Sequence, residues 1–192
     1  MNDGIDREDL QNALTVLRNG GTVAYPTETV WGIGCDSTDD DSIRKIFRLK
    51  RREDSKAMIS LVADLSMLER WVDDIPEAAY QLMDVAVRPL TIIYDHPRGL
   101  SSLLLAEDGS AAFRITSDPY AKALCQALKK PLVSTSANIS GNKTPSTFKE
   151  ISEEIKSGVD YVAEWGRNRE ASGNPSTVIK VSDGDVIKII RE

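Results

Sequence analysis

Apolar residues recur along this chain in two patterns, one typical of amphipathic helices and the other of short buried strands. The first helix is indicated by apolar residues at helical spacing that stop before Gly20 and Gly21: Leu10, Ala13, Leu14 and Leu17. A second helix is predicted to begin near the acidic residues 39–41 and to end at Lys50, because carboxylates suit the positive end of a helix. Later helices are expected at 66–72, 76–87, 118–128 and 151–156.

Short apolar segments between the helices predict the strands. They lie at 22–25, 57–62, 91–94, 111–115, 132–134, 176–181 and 186–190. The segment 27–36 contains Gly32 and Gly34 without a regular period, so we expect a loop there that passes close to another part of the molecule. Helices and strands do not alternate regularly. The sequence therefore predicts a single domain, residues 1–192, of the α/β or α+β class with a twisted mixed sheet flanked by helices.

Composition narrows the classes of function. Hydrophobic residues make up 41% of the chain, which is enough for a packed core. The net charge of −6 argues against a broad nucleic-acid surface, so any phosphate recognition must come from local clusters of cations. No secretion segment or membrane-spanning apolar run is present, so the cytoplasm is the expected compartment. Cys35 and Cys125 are predicted to be small core thiols.

Four polar motifs are candidates for chemistry. The first is a basic run at the end of the second helix, Lys50, Arg51 and Arg52 with Lys56, which by itself is typical of a solvated face. The second is a loop of hydroxyl and amide side chains after a predicted strand, from Ser134 to Asn138. The other two are 26–32, where hydroxyls and a carboxylate lie beside glycines, and 175–178, a hydroxyl pair at a strand start. A Walker loop and a Rossmann fingerprint are both missing.

These motifs in this order resemble the YrdC/TsaC family of threonylcarbamoyl-AMP synthases. They read Pro-Thr-Glu-Thr-Val-Trp-Gly at 26–32, Leu-Lys-x-Arg at 49–52, Ser-Thr-Ser-Ala-Asn-Ile-Ser-Gly at 134–141 and Pro-Ser-Thr-Val at 175–178. The resemblance implies a concave, positively lined cavity that binds ATP, L-threonine and bicarbonate. The implied products are pyrophosphate and threonylcarbamoyl-AMP, whose threonylcarbamoyl group a tRNA threonylcarbamoyl transferase then moves to adenosine 37 of tRNAs. Mg²⁺ is expected on the ATP phosphates, without a dedicated metal site in the protein.

The resemblance also implies roles for individual residues. Catalysis falls on four of them: Lys50, Arg52, Ser136 and Asn138. ATP contacts comprise these four together with Lys56, Ser110, Thr144 and Arg191. L-threonine contacts fall on Thr27, Arg114, Ser134 and Ser176. Arg114 suits the carboxylate of an amino acid because a guanidinium can bind it through two parallel hydrogen bonds.

The chain departs from the family pattern at two places. Glu53 follows Arg52 where proline is usual, and the segment 87–91 replaces a Trp-Pro-Gly-Pro-Leu-Thr sequence. We expect the local shape of the cavity to differ there. The chain ends at Glu192, soon after the last motif, and so resembles the short, single-domain form of the family.

Two alternatives remain open from the sequence. One is a YrdC-like protein that binds nucleotide or RNA without catalysis, and weak RNA binding is compatible with the enzyme as well. The acidic charge and an aromatic content of 6% disfavour an RNA-binding module. The other is a carbamoyl-transfer domain of the hydrogenase-maturation type, which the lack of zinc-finger cysteines disfavours.

Overall fold

The computed structural model describes residues 4–51 and 58–192. Within these ranges the helices are α1 (Arg7–Arg18), α2 (Asp40–Lys50), α3 (Leu65–Leu68), α4 (Glu77–Val85), α5 (Pro119–Leu128) and α6 (Glu153–Gly158). The strands are β1 (Val23–Pro26), β2 (Trp31–Gly34), β3 (Ile59–Val62), β4 (Leu90–Tyr94), β5 (Ala111–Ile115), β6 (Leu132–Ser136), β7 (Tyr161–Val162), β8 (Thr177–Ser182) and β9 (Val186–Arg191).

The strands of the described ranges form one nine-stranded mixed sheet in the order β7-β1-β2-β6-β3-β5-β4-β8-β9. The pairs β1/β7, β3/β5 and β4/β8 are parallel, and the other neighbours are antiparallel. The predicted α/β class with a mixed sheet flanked by helices is therefore confirmed. None of the helices in the described ranges combines the length and the apolar character needed to cross a bilayer.

Aspartate caps begin the longest helices. Asp6 accepts a hydrogen bond from the backbone N–H of Glu8 at the start of α1. Asp39 accepts from two backbone N–H groups at the start of α2, and Asp118 does the same for α5. Each carboxylate satisfies donors that have no partner within the helix. The sequence prediction of helix starts at Asp39 and Asp118 is confirmed.

The apolar core has two parts. The larger cluster packs α1 and α5 against the sheet through Leu14, Leu17 and Leu124. The smaller cluster includes Ile43 and Phe47 of α2. Consecutive residues of β6 pack in different clusters: Leu132 belongs to the larger cluster and Val133 to the smaller one.

Several predicted boundaries were wrong. The expected loop 27–36 contains β2, which lies between β1 and β6, because the glycines there allow close strand packing. A carbon added at Gly34 would lie 2.1 Å from the carbonyl oxygen of Val133. The helix expected at 66–72 is the single turn α3, after which the backbone of Asp73 bonds to that of His96. The helix expected at 151–156 begins two residues later, at Glu153.

Candidate functional site

A cavity of about 400 Å³ lies where the ends of several strands meet. Alternate residues of β4 and β5 point into it, as the two-residue period of a strand requires: Thr91 and Ile93, and Ala112 and Arg114. The last three residues of β6, from Ser134 to Ser136, line it as well. The turn between β1 and β2 closes another side with Thr27 and Thr29, and the polar lining also includes Thr144, Ser176 and Arg191.

Seven of the residues predicted from the sequence come together in this cavity. All four expected amino-acid contacts line it, and so do three expected nucleotide contacts: Thr27, Arg114, Ser134 and Ser176, then Ser136, Thr144 and Arg191. They come from six separate segments of the chain. Among the described lining residues, the polar side chains are hydroxyls and the guanidinium groups of two arginines, and the rest of the lining is apolar.

Thr27 organises the turn between β1 and β2. Its hydroxyl donates to the carbonyl oxygen of Val30 at 2.7 Å and accepts from the backbone N–H groups of Thr29 and Val30. The hydroxyl oxygen of Thr29 lies 3.0 Å from the hydroxyl oxygen of Thr27. Thr27 is buried, and this network fixes the position of the turn against the cavity.

Arg114 is buried on β5 and forms an ion pair with Glu28 of the same turn. The Arg114 Nε and Glu28 Oε1 atoms lie 2.9 Å apart, and the two side chains are 4% and 12% exposed. This contact is an ion pair without an aligned hydrogen bond, and neither atom has a hydrogen-bond partner among the described residues. The other carboxylate oxygen of Glu28 accepts from the hydroxyl of Thr116 at 2.9 Å. The Glu28 carboxylate therefore contacts the guanidinium of Arg114, the residue expected to bind the threonine carboxylate.

Ser176 and Arg191 form the side of the cavity near β8 and β9. The Ser176 hydroxyl lies 2.8 Å from the hydroxyl of Thr91 on the neighbouring strand β4. Arg191 donates to the carbonyl oxygen of Ser176 through Nε at 3.2 Å and through Nη2 at 2.9 Å. Arg191 is otherwise exposed, so its charge is available to a ligand at the mouth of the cavity.

Lys50 lies beside the cavity and supports the loop after β6. Its side chain is buried, and Nζ donates to the carbonyl oxygens of Ser136 and Asn138, the latter at 2.6 Å. The backbone carbonyl of Lys50 also accepts from the N–H of Ser140. Lys50 is not among the described residues that line the cavity, and its ammonium group is directed at main-chain oxygens of this loop.

Asn138 is likewise not among the described residues that line the cavity. Its amide nitrogen donates to the carbonyl oxygens of Ile139 and Asn142 at 3.1 and 2.7 Å. Its side-chain oxygen is buried and has no hydrogen-bond partner among the described residues. The side chain thus shapes the loop.

Ser110 precedes β5 and is also outside the cavity lining. Its hydroxyl donates to Asp108 at 2.6 Å, and Asp108 in turn accepts from Lys180. These bonds explain why the side chain does not face the cavity. Arg52 and Lys56, two predicted phosphate contacts, lie outside the described residues, as does Glu53.

Both cysteines are buried, as expected. Burial raises the pKa of the Cys35 thiol to about 12 and that of the Cys125 thiol to about 12. Both therefore remain protonated at neutral pH and are poor nucleophiles.

A second cavity, of about 350 Å³, lies on the other side of β4 and β5. The intervening residues of the two strands line it, including Ile92, Tyr94 and Phe113. Its rim contains Val87, Arg88 and Pro89 of the segment that departs from the family pattern, and Glu28 reaches it as well. Most of this altered segment therefore faces away from the polar cavity, while Thr91 at its end faces into it.

The family model Sua5/YciO/YrdC, which carries the description "Telomere recombination", matches residues 15–192. The chain belongs to this family. The match includes all the described residues that line the polar cavity.

Solved structures of family members have the same fold. P. abyssi Sua5 complexed with L-threonine superposes with a TM-score of 0.83 at 27% identity, over 93% of this chain and 52% of that one. E. coli YciO superposes with a TM-score of 0.84 at 27% identity, over 97% and 90%. A P. abyssi Sua5 variant, H234A/Y235A, matches with a TM-score of 0.85 at 24% identity and 58% coverage of its own length. This chain thus spans little more than half of the Sua5 chains.

Proposed function

We propose that this protein is an L-threonylcarbamoyladenylate synthase, which makes threonylcarbamoyl-AMP and pyrophosphate from L-threonine, bicarbonate or CO2, and ATP. One observation carries the proposal. The four side chains expected to bind threonine, which are far apart in the sequence, line a single cavity: Thr27, Arg114, Ser134 and Ser176. A 27% identical member of the family forms a complex with L-threonine.

In this proposal the amino acid binds at the buried end of the cavity. The Arg114 guanidinium pairs with its carboxylate, and Ser134 and Ser176 recognise its hydroxyl. A site that hydrogen-bonds a substrate hydroxyl rejects analogues without that group, because buried polar atoms are then left unpaired. The site therefore selects threonine over an aliphatic amino acid of similar size.

ATP binds towards the mouth of the cavity, near Ser136, Thr144 and Arg191. Lys50 contributes by fixing the loop that carries Ser136, and Arg52 and Lys56 contribute cations for the phosphates. The described residues contain no group of three or more His, Cys, Asp or Glu side chains that could hold a metal ion. We place Mg²⁺ on the phosphate oxygens, where it neutralises charge on the leaving group.

The reaction needs no nucleophilic side chain. The neutral threonine amine adds to CO2 and releases one proton to solvent, which gives a carbamate, and a carbamate oxygen then attacks the α-phosphorus of ATP as the bond to pyrophosphate breaks. Catalysis consists of holding the carbamate and the phosphate in line and stabilising the charge that develops on the phosphate oxygens. The product would pass in the cytoplasm to a tRNA threonylcarbamoyl transferase.

Pyrophosphate release tests the proposal. The purified protein with ATP, Mg²⁺ and bicarbonate is expected to release pyrophosphate only when L-threonine is added. Arg114→Ala should raise the KM for threonine at least about tenfold, because the carboxylate loses a charge-assisted pair. Arg98→Ala is the matched control, since Arg98 pairs with Asp73 on the surface. Tight, salt-dependent RNA binding with no threonine-dependent release would favour the non-catalytic alternative.

A further inference from the structure

Glu28 is an acidic side chain placed directly behind the proposed amino-acid site. Its carboxylate is held at two points on the β5 segment, by the Arg114 guanidinium at 2.9 Å and by the Thr116 hydroxyl at 2.9 Å. The backbone carbonyl of Glu28 accepts from the N–H of Ser172, so the main chain is fixed too. Nothing in the proposed reaction uses this carboxylate.

The charges of Arg114 and Glu28 determine the electrostatic potential at this end of the cavity. Arg114 lines the polar cavity, whereas Glu28 reaches the second cavity on the other side of the strands. The pair therefore lies between the two cavities, with its positive member towards the proposed ligand. The guanidinium and the carboxylate together carry no net charge.

We infer that Glu28 determines specificity at this site by making it select a zwitterion over a simple carboxylate. The inference rests on the proposed function, because it concerns the amino acid that this function requires. A ligand carboxylate beside Arg114 is attracted by the guanidinium and repelled by the carboxylate behind it. A ligand that carries its own ammonium group offsets this repulsion, whereas a ligand that carries only a carboxylate does not.

Burial makes this effect strong enough to measure. Both side chains of the pair are almost fully removed from water, so solvent and salt screen their charges less than at the surface. Without the Glu28 charge, Arg114 would present an uncompensated positive charge and would accept any small carboxylate. Glu28 acts through Arg114 and is a positioning residue that contacts no reacting atom.

Two ligands that differ only by the α-amino group provide the test: L-threonine and (R)-3-hydroxybutanoate. Their dissociation constants are measured by calorimetry on the full chain without ATP. The wild-type protein is expected to prefer L-threonine. Glu28→Gln conserves the size of the side chain and removes its charge, and it should lower this preference about tenfold or more by strengthening binding of the hydroxy acid.

Two further variants complete the design. Glu153→Gln removes an exposed carboxylate that pairs with Lys156, and it should leave the preference unchanged. Thr116→Val removes the hydroxyl that fixes Glu28 and leaves the charge in place, so it should lower the preference by a smaller factor, about threefold. This variant also provides the test if Glu28→Gln does not fold.

The outcomes separate the inference from the proposed function. If the wild-type protein does not bind L-threonine, the proposed function fails. If it binds L-threonine and Glu28→Gln has an unchanged preference, the specificity role is wrong and the proposed function stands. Equal weakening of both ligands in Glu28→Gln would also overturn the inference, because that is the effect of structural damage alone.

Discussion

At the scale of single residues, the position of Lys50 gives this side chain a structural task. Its ammonium group donates to main-chain oxygens of Ser136 and Asn138, and a buried carbonyl that loses its donor costs about 1–3 kcal/mol. Lys50→Met keeps the aliphatic stem and removes the donor. We expect it to lower the free energy of unfolding by roughly this amount, measured by urea denaturation.

The neighbouring cation provides the comparison. Arg51 pairs with Glu154 on the surface, where its side chain is 70% exposed, so Arg51→Met should change stability by less than about 0.5 kcal/mol. Equal stability of the two variants would contradict the structural role of Lys50.

A second residue-scale prediction concerns His96, which joins the segment after β4 to the turn between β8 and β9. Its Nε2 lies 2.9 Å from a carboxylate oxygen of Asp183, and this interaction raises the pKa of His96 above its usual value. Because the folded-state pKa is raised, the stabilisation is fully present below the unfolded pKa, about 6.5, and is lost as the pH rises through the folded pKa. An NMR titration should show the raised pKa, and Asp183→Asn should lower it. A pKa at or below 6.5 in the wild-type protein would contradict the contact.

At the scale of secondary-structure elements, the packing of β2 between β1 and β6 depends on one glycine. A carbon added at Gly34 would lie 2.1 Å from the Val133 carbonyl oxygen and 2.8 Å from the ring of Tyr25. Gly34→Ala must therefore separate the strands, and we expect it to lower the free energy of unfolding by about 3 kcal/mol or to prevent folding.

Gly32 on the same strand is the matched control. The nearest atoms to a carbon added there lie at 3.4 Å, which is ordinary contact. Gly32→Ala should cost much less than Gly34→Ala in the same denaturation experiment. Similar stability of the two variants would show that β2 does not pack as described.

These glycines also explain where the sequence failed to predict an element. Gly32 and Gly34 interrupted the apolar pattern and indicated a loop, although they lie in a strand. The helices that follow Asp39 and Asp118 were predicted to within one or two residues, because acidic residues and an early proline at a helix start are local signals. The strand β7 has only two residues, which is too short to give a period, so it was not predicted.

The candidate site was predicted from the family resemblance and not from the strand pattern. Ser134 and Ser136 both line the cavity, although only Ser134 was expected to lie in a strand and Ser136 was expected in the following loop. The sequence does not reveal that Lys50 is directed at backbone oxygens, because main-chain acceptors carry no sequence signal. The pairing of Glu28 with Arg114 was missed because the partners are brought together only by the tertiary fold.

At the scale of the whole molecule, one edge of the sheet is apolar and exposed. β9 is the last strand in the sheet order, and Val186, Ile187, Ile189 and Ile190 on it are between 49% and 61% exposed. An edge strand with such side chains promotes association between chains. We expect Ile189→Lys to reduce concentration-dependent self-association in sedimentation experiments.

Lys188→Arg serves as the control for the edge, because it conserves the charge on the same strand. It should leave self-association unchanged. If Ile189→Lys behaves like this control, the edge of the sheet is not the surface that associates.

The central claim for the molecule is that its polar cavity joins threonine, CO2 and ATP in one reaction. The most direct measurement is mass spectrometry of the reaction mixture with ¹³C-bicarbonate. We expect a product with the mass of threonylcarbamoyl-AMP that carries the ¹³C label, formed by the wild-type protein and strongly reduced in Arg114→Ala. If folded protein gives no labelled adenylate from ATP, L-threonine and bicarbonate, the protein does not have the proposed function.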